Sequence, residues 1–377
     1  MVDVQGFCDE RFGAVREAFA SHFDRGLDVG ASVAVVLDGE PVVDLWGGYT
    51  DEARTTPWQE DTITNVWSST KTVTALCALI LADQGELDVD APVARYWPEF
   101  AANGKEGVLV RHLLSHTAGL SGWEVPVTFD DICDWEKATS LLAAQAPWWE
   151  PGSASGYHAL TQGYLVGEVV RRVTGQSLGT FMAKEVAGPV GADFHIGLAP
   201  EHHGRVSNVI PPPPLAIPEN PSEIMLKTFG NPILSAEWAW TPQWMQAESP
   251  AANGQGNARS LATIHAVLAC GGEANGVRFL SPQGCETIFR EQARGTDLVL
   301  DIPLRHGIGF GLVGEEAPLS PNPRTCYWGG WGGSIVVIDL DARMVVTYVM
   351  NRMGEGTVGD ERGGALLLAA YGAIAGG

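Results

Sequence analysis

A serine that lies three residues before a lysine, Ser68 before Lys71, is the first arrangement in this sequence that suits covalent chemistry. Apolar side chains recur at helical spacing from Thr72 to Asp83, so Ser68 and Lys71 are expected near a helix start, one turn apart on the same face. There, backbone amides can stabilise an oxyanion while the amine takes the serine proton. The same spacing also arises when Ser68 or Ser69 caps the helix and the lysine is solvated. The spacing alone therefore leaves two interpretations open.

Small residues surround a tyrosine, Tyr157, in the segment from Pro151 to Ala159, just before a helix that is expected to begin near Leu160. This setting leaves room for the phenol to point into a cleft. A tyrosine buried in the core with its hydroxyl bonded is the alternative, and it is the commoner one for a single tyrosine.

Four glycines lie in a short segment that opens a strand, Trp328-Gly329-Gly330-Trp331-Gly332-Gly333-Ser334. Glycine lets another backbone or a ligand approach closely, which suits a substrate laid along an edge strand. A β-bulge or a tight bend explains the same glycines equally well.

The two ends of the chain carry strand patterns that must position these residues. The segment from Ser32 to Gly48 has two β-branched runs around Asp38-Gly39, which predicts a hairpin. Two further strands are predicted from Ser334 to Leu340 and from Met344 to Met350, and an apolar helix from Gly363 to Ile374. We expect these strands to join in one antiparallel sheet with the terminal helices packed on it.

The middle of the chain is predicted to be mainly helical. Apolar residues have helical spacing in five segments, Lys71 to Asp83, Val110 to Ser115, Trp135 to Ala144, Thr161 to Thr174 and Ser177 to Ala187. We therefore predict an α/β (α+β) fold: a discontinuous α/β domain of residues 1–75 and 255–377, and an inserted, mainly helical domain of residues 76–254.

A proline-rich loop, residues 210–221, interrupts the helical domain. Its run from Pro211 to Pro221 has too many prolines for a helix or a central strand. With the tryptophans Trp238, Trp240 and Trp244 downstream, we expect it to form an apolar wall beside the cleft.

Charge and composition narrow the range of partners. Lys and Arg total 23 against 45 Asp and Glu, a net charge of -22. Such a field repels polyanions, so nucleic acid is not an expected ligand. No apolar run reaches the roughly 18 residues that a membrane span requires. The first residues lack the basic start and apolar core of a signal peptide, so a cytoplasmic location is the default expectation.

Metal sites and disulfide bonds are not expected. The six cysteines are scattered singly, without the spacing of a disulfide framework or a zinc site, so we expect reduced and mostly buried thiols. His112 and His116 are four residues apart, the spacing of a metal pair, but no acidic residue lies between them as in a zincin. We expect both histidines to make structural hydrogen bonds.

Taken together and in this order, the three clusters resemble the serine-reactive, penicillin-recognising family: class C β-lactamases, DD-peptidases and their esterase relatives. Ser-x-x-Lys is a signature of β-lactamases and penicillin-binding proteins. Further stretches fit the family, namely Val110 to Leu120, Gly156 to Tyr164, Arg171 to Gly175 and Gly309 to Gly311. The resemblance covers almost the whole chain. It implies a β-lactamase-like fold, an antiparallel sheet flanked by helices plus the helical domain, with the site between them.

Two departures from the class C pattern indicate the subclass. Class C enzymes carry Tyr-x-Asn, whereas Tyr157 is followed by His158 and Ala159; they carry Lys-Thr-Gly, whereas this chain has Trp328-Gly329-Gly330. The missing amide and ammonium are groups that hold the side chain and carboxylate of a β-lactam. The combination found here resembles family VIII carboxylesterases. The Gly-x-Ser-x-Gly elbow of α/β-hydrolases is absent from the sequence.

The resemblance implies a role for each of these residues. Ser68 attacks an ester carbonyl and becomes acylated, Lys71 and Tyr157 move the protons, and the amides of Ser68 and Trp331 stabilise the oxyanion. Substrate contacts fall to the segment from Trp328 through Gly329 and Gly330 to Trp331, and no cofactor is required. An ordinary lysine pKa of ~10.4 would leave Lys71 charged. Either the site lowers that pKa or the ammonium holds Tyr157 as a phenolate, and coupled titration leaves both open.

The expected substrate is a small neutral ester with a short acyl or an aryl group. Three alternatives remain open at the level of the sequence: a β-lactamase or DD-peptidase, an amide hydrolase or acyltransferase on the same scaffold, and a binding protein that kept the fold. The intact serine, lysine and tyrosine argue against the last. The physiological ester and the oligomeric state are not encoded in any motif.

Overall fold

The computed structural model of the chain describes residues 2–213 and 220–375. A nine-stranded antiparallel sheet forms its centre. The strands of this sheet are β1 (Gln5–Cys8), β2 (Gly30–Leu37), β3 (Glu40–Gly48), β9 (Ala293–Thr296), β10 (Pro303–His306), β11 (Gly311–Leu312), β12 (Thr325–Gly329), β13 (Ile335–Asp339) and β14 (Met344–Met350). Their order across the sheet is β1-β3-β2-β14-β13-β12-β11-β10-β9. Two small sheets contain β4 (Ile63–Asn65), β5 (Val206–Ser207), β6 (Gln255–Gly256), β7 (Glu273–Ala274) and β8 (Val277–Arg278).

The hairpin predicted near the start of the chain is present and meets the strands from the end. Asp38 and Gly39 both have positive φ angles, 52° and 87°, as the tight turn between β2 and β3 requires. Strand β2 then pairs with β14, with Val33 opposite Tyr348. The prediction of one antiparallel sheet built from both ends is therefore confirmed.

Thirteen α-helices lie in the described part of the chain. They are α1 (Gly13–Asp24), α2 (Thr70–Asp83), α3 (Val110–Leu114), α4 (Phe129–Cys133), α5 (Trp135–Ala144), α6 (Thr161–Thr174), α7 (Leu178–Met182), α8 (Gly188–Val190), α9 (Glu223–Gly230), α10 (Pro242–Gln246), α11 (Ala258–Ala269), α12 (Pro282–Thr287) and α13 (Glu361–Ala375). Among these described helices, none is both long enough and apolar enough to cross a bilayer.

Helices cover both faces of the central sheet. Thr347 donates a hydrogen bond to the backbone of Ala258 at the start of α11. Its neighbour Tyr348 bonds Asp28, which pairs with Arg362 of α13. Consecutive strand residues point to opposite faces, so α11 and α13 lie on opposite sides of β14. The sheet is thus buried between two helical layers, as the predicted fold class requires.

Helix α2 connects the sheet to the helical part of the chain. Every residue from Thr70 to Leu81 is buried, because α2 packs on β12 at one side and on α6 and α7 at the other. The predicted domain boundary at residue 75 falls inside this helix, and the division into two domains stays a prediction. Of the proline-rich loop, residues 214–219 lie outside the described residues.

The six cysteines are free thiols, and Cys77, Cys285 and Cys326 are buried while the other three are half-buried. Burial raises the pKa of the Cys285 thiol to about 12. A thiol with such a pKa stays protonated near neutral pH and is a poor nucleophile. The sequence predicts mostly buried thiols, and the structure buries three of the six.

Candidate active site

The candidate nucleophile lies in a short turn between β4 and α2. A 3₁₀ turn, Trp67–Ser69, leads directly into α2. Trp67 has a φ of 50°, a left-handed conformation that costs a non-glycine residue about 1–3 kcal/mol. Its ring packs against those of Trp244 and Trp331, with centroids 6.1 and 5.1 Å away. Packing of the tryptophan therefore maintains the turn that presents Ser68.

Trp244 supports this turn from the core instead of facing the cleft. It is fully buried, and its indole N–H donates to Asn65 at 3.0 Å. Asn65 in turn donates to the carbonyl of Ala252 at 3.0 Å. The prediction that Trp244 belongs to an apolar wall beside the cleft is therefore wrong, because a large aromatic ring found a buried partner on β4. Trp240 is exposed, and Trp238 is half-buried.

Neither serine of the turn caps the helix, and Lys71 is not solvated. Ser69 makes no side-chain cap of α2; its hydroxyl is 2.9 Å from that of Ser334, which donates to Val66 at 2.8 Å. Lys71 is 2% exposed. The interpretation of the Ser-x-x-Lys spacing as a simple capped helix start does not describe this structure.

The amine of Lys71 has four polar neighbours. Its Nζ lies 2.9 Å from the Oγ of Ser68 and 3.0 Å from the Oη of Tyr157. It also lies 2.8 Å from the carbonyl oxygen of Ala159 and 2.9 Å from that of Ala251. The two carbonyls can only accept, so they use two N–H bonds of the amine. If the amine is neutral, its lone pair remains for a hydroxyl.

Burial determines the protonation of this group. It lowers the pKa of Lys71 well below its ordinary value, because water is excluded from the ammonium. Burial also raises the pKa of Tyr157 to about 12, so the phenol keeps its proton near neutral pH. The phenol then donates to the Oγ of Ser68 at 2.5 Å, and the serine hydroxyl can donate to the lysine lone pair. Every proton in the Ser-Lys-Tyr group (Ser68, Lys71 and Tyr157) thus has an acceptor.

The glycine-rich segment runs close to Ser68. A Cβ on Gly330 would overlap the carbonyl oxygen of Val66 and would lie 3.2 Å from the amide nitrogen of Ser68. Only glycine allows this approach. Among the described residues, the amides of Ser68 and Trp331 donate to no backbone or side-chain acceptor. Free amides are the donors that an oxyanion requires.

Trp328 lies under the tyrosine and is itself buried. Its ring is 5.6 Å from that of Tyr157 and stacks on His116 at 5.5 Å. The position that carries a cation in the class C pattern is thus occupied by a neutral aromatic ring. Tyr157 and Trp328 form a buried apolar cluster with Val299 and Leu304. Four half-buried apolar side chains pack against this cluster, namely Ala159, Ile224, Leu300 and Val358.

The two histidines with metal-pair spacing make structural hydrogen bonds. His112 accepts from the amide of Leu109, and His116 accepts from the amide of His158. Among the described residues, no group of three or more histidine, cysteine and acidic side chains could hold a metal ion. The predicted structural role of His112 and His116 agrees with these contacts.

The structure thus brings together the three clusters, with Ser69 and Ser334 in contact across 265 residues of sequence. It also adds groups that carry no motif. The carbonyls of Ala159 and Ala251 have no sequence signal, since every residue has a carbonyl. The strained Trp67 and the buried Asp297 belong to no motif either. Only the position of Trp67 next to Ser68 could have drawn attention to it.

The fold and the buried group of serine, lysine and tyrosine define a serine hydrolase with a β-lactamase-like fold. A family model described as Beta-lactamase matches residues 19–371. The chain is 36% identical over 365 residues to the Esterase/beta-lactamase LipL of Mycobacterium tuberculosis, covering 93% of this chain and 83% of that protein. The chain belongs to the beta-lactamase family.

Two solved structures are similar along almost the whole chain. A family VIII carboxylesterase is 43% identical with a TM-score of 0.94, covering 98% of this chain and all of that one. A penicillin-binding protein homologue from Caulobacter crescentus is 38% identical with a TM-score of 0.93, at the same coverage. The β-lactamase-like fold, the resemblance to family VIII carboxylesterases and the prediction of a serine hydrolase are therefore confirmed.

Proposed function

We propose that this protein is a carboxylesterase that hydrolyses small neutral esters, with short acyl or aryl groups, through an acyl-enzyme on Ser68. One observation carries the proposal. The Nζ of Lys71 is held by the acceptor-only carbonyls of Ala159 and Ala251, at 2.8 and 2.9 Å, which directs the remaining lone pair to Ser68. A buried neutral amine in that position is a general base for the serine hydroxyl.

Acylation follows from these contacts. Lys71 takes the proton of Ser68 as Oγ attacks the ester carbonyl, and the amides of Ser68 and Trp331 stabilise the oxyanion. The tetrahedral intermediate collapses when Tyr157 gives its proton to the leaving alkoxide. The site then holds an acyl-serine, an ammonium and a phenolate, whose nitrogen and oxygen are 3.0 Å apart.

Deacylation reverses the proton movements. The phenolate of Tyr157 takes a proton from water as the water oxygen attacks the acyl carbonyl. The second intermediate releases the carboxylic acid, and Lys71 returns its proton to the Oγ of Ser68. The resting state is restored without a cofactor, and the atoms and charges balance over both halves of the cycle.

The preference for neutral esters is supported by the surroundings of the site. Trp328 replaces the cation of the class C pattern, and apolar side chains pack around it and Tyr157. The amine of Lys71 already donates to two carbonyls, so it is not free to hold the carboxylate of an anionic lactam. Two similar proteins are described as esterases or carboxylesterases, which supports the same choice.

The net charge of -22 supports a small-molecule substrate over nucleic acid. A cytoplasmic location stays a prediction.

A β-lactamase or DD-peptidase is the second candidate, because LipL is named an esterase/beta-lactamase and one similar structure is a penicillin-binding protein homologue. An amide hydrolase or an acyltransferase uses the same acyl-enzyme; the first differs in the leaving group, which is an amine, and the second in the acceptor that replaces water. These alternatives share the nucleophile and differ in the kcat/KM for each substrate, so a substrate panel separates them.

The test compares p-nitrophenyl acetate and butyrate with a chromogenic cephalosporin, using the wild-type protein, Ser68→Ala and Ser69→Ala. We expect esters to be hydrolysed with a kcat/KM far above that of the cephalosporin. Ser68→Ala should lose about 10⁴-fold or more in kcat, as loss of a catalytic serine does. Ser69→Ala is the matched control, because this neighbouring serine contacts Ser334 and not Lys71.

A fluorophosphonate probe should label the wild-type protein and Ser69→Ala at Ser68. Ester hydrolysis by Ser68→Ala at the wild-type rate would contradict the assignment of the nucleophile. Equal rates on cephalosporin and ester would instead contradict the choice of substrate class and identify a lactamase with an unusual third motif.

A further inference from the structure

A buried carboxylate outside the three motifs holds the backbone of the catalytic tyrosine. Asp297 is 1% exposed. Its Oδ1 accepts from the amide of Tyr157 at 3.0 Å, and from the amides of Val299 and Leu300 at 2.9 and 3.0 Å. Tyr157 and Asp297 are 140 residues apart in the sequence. One carboxylate oxygen therefore joins the loop that carries Tyr157 to the segment before β10.

A second contact strengthens this junction. The amide of Leu298 donates to the carbonyl of Ser155 at 2.9 Å, two residues before Tyr157. The segment that begins at Asp297 therefore binds the tyrosine loop at two points. The backbone of Tyr157 must be held in place because its Oη has to contact two groups at once: it lies 2.5 Å from the Oγ of Ser68 and 3.0 Å from the Nζ of Lys71.

The other oxygen of Asp297 is buried and has no hydrogen-bond partner. It faces the Nε2 of His306, on β10, at 3.9 Å, and that nitrogen is also without a partner. The ring of His306 packs on those of Trp328 and His116, with centroids 5.5 and 5.3 Å away. The same aromatic rings contact Tyr157. Asp297 thus lies behind the tyrosine, between its backbone and the rings under its phenol.

We propose that Asp297 is a positioning residue of this active site: it fixes the backbone of Tyr157 and places an unpaired negative charge behind the Ser-Lys-Tyr group. The proposal rests on the proposed function, in which Lys71 exchanges a proton with Ser68, and Tyr157 exchanges one with the leaving group and with water. It adds a residue that does not touch the substrate and acts through Tyr157.

No cation neutralises Asp297 among the described groups that face it. His306 from β10 and His158 from the tyrosine loop have pKa values lowered to about 4 by burial, and the pKa of His116 is also lowered by burial. All three are neutral near pH 7. Asp301, on the same segment as Asp297, is exposed. The remaining titratable groups toward Ser68 are Lys71 and Tyr157, and the charge of Asp297 adds to burial in raising the pKa of Tyr157.

Two substitutions separate the two effects. Asp297→Asn keeps the shape and the oxygen that accepts the three amides, but removes the charge. A negative charge stabilises the protonated forms of Lys71 and Tyr157, so its loss should move the acidic limb of the kcat–pH profile to lower pH. Asp297→Ala also removes the hydrogen bonds to Tyr157. It should lower kcat about 100-fold with little change in KM, as a misplaced catalytic group does.

Asp339→Asn is the matched control. Asp339 is also buried, and its Oδ1 accepts from the amides two and three residues later, those of Asp341 and Ala342. It makes no contact with the tyrosine loop, so its pH profile should coincide with that of the wild type. Thermal unfolding of each variant identifies those that fold, and Asp297→Asn carries the test if Asp297→Ala does not.

An acidic limb that is unchanged in Asp297→Asn, or that moves equally in Asp339→Asn, would overturn the proposal. That failure is distinct from a failure of the proposed function, which is measured by Ser68→Ala. An inactive Ser68→Ala with unaltered Asp297 variants rejects only the positioning role.

Discussion

Replacing Lys71 by methionine should change how the stability of the protein depends on pH. In the folded protein, burial lowers the pKa of Lys71 well below its ordinary value, whereas in the unfolded chain the pKa returns to ~10.4. Between these two values the unfolded chain binds one more proton than the folded chain. The free energy of unfolding of the wild type therefore rises with pH in this window, and this contribution is lost as pH falls through it. Lys71→Met has no such proton.

The size of the effect follows from a single proton. One proton bound only by the unfolded chain gives a slope of about 1.4 kcal/mol per pH unit. From pH 7 to pH 9 the wild type should therefore gain up to about 2.7 kcal/mol relative to Lys71→Met. The substitution also leaves the carbonyls of Ala159 and Ala251 without their donor. Each unpaired carbonyl costs about 1–3 kcal/mol. This cost does not depend on pH, so it lowers the free energy of unfolding equally at every pH and leaves its slope against pH unchanged.

The assay is urea unfolding of the wild type, Lys71→Met and Lys184→Met at pH 7, 8 and 9. Lys184 is exposed, so its substitution should leave the slope of the wild type unchanged. All other titrating groups are shared, and their contributions cancel in the difference. Parallel curves for the wild type and Lys71→Met would refute the conclusion that Lys71 lacks a proton in the folded state.

A further variant, Tyr157→Phe, shows whether the proton that the folded protein lacks is missing from Lys71 or from Tyr157. If the neutral amine is the resting form, the slope persists in Tyr157→Phe, because the lysine still titrates. If an ammonium instead holds a phenolate, removal of the phenol abolishes the slope. The pKa of Tyr157, raised by burial to about 12, favours the first result.

Two other predictions concern turnover and close packing. Lys71→Met and Tyr157→Phe should each abolish most ester hydrolysis. The double variant should be little worse than either single variant, since the effects of groups that act as a unit are not additive. Additive losses in kcat would show that the two residues have independent roles. Gly330→Ala should have a much lower kcat and a lower melting temperature, because the added Cβ would overlap the carbonyl of Val66. Gly364→Ala is the control: a Cβ there meets open space on α13, so this variant should unfold at the same temperature as the wild type or higher. A Gly330→Ala variant with normal kcat would contradict the close approach of the glycine-rich segment to Ser68.

Local patterns in the sequence predict most elements of this structure. The hairpin at Asp38-Gly39 follows from the conformations that these two residues tolerate. The periodicity of apolar residues predicts a helix from Thr161 to Thr174, and α6 has these bounds. Segments with a strong period need few long-range contacts to settle their type. The sequence also predicts that strands from both ends of the chain join one antiparallel sheet, and the pairing of β2 with β14 confirms this.

The spacing of Ser68 and Lys71 likewise follows from the chain, because one helical turn places their side chains on the same face. Local spacing cannot, however, determine whether the amine is charged. That depends on burial by α6 and α7 and on the carbonyls of Ala159 and Ala251, which come from distant loops. Protonation is a property of the surroundings of a group, and only the tertiary structure supplies them.

The same reason explains what the sequence did not disclose. The sequence shows that Trp244 is apolar but not whether its side chain faces the cleft or the core. In the structure its ring packs on Trp67 in the core. Asp297 belongs to no motif, and its contact with Tyr157 spans 140 residues. Motifs record residues that must have one chemistry at one spacing. The residues that hold the motif residues in place do so through packing and through hydrogen bonds to backbone amides. These contacts form only in the folded chain, so the roles of such residues are visible only in the tertiary structure.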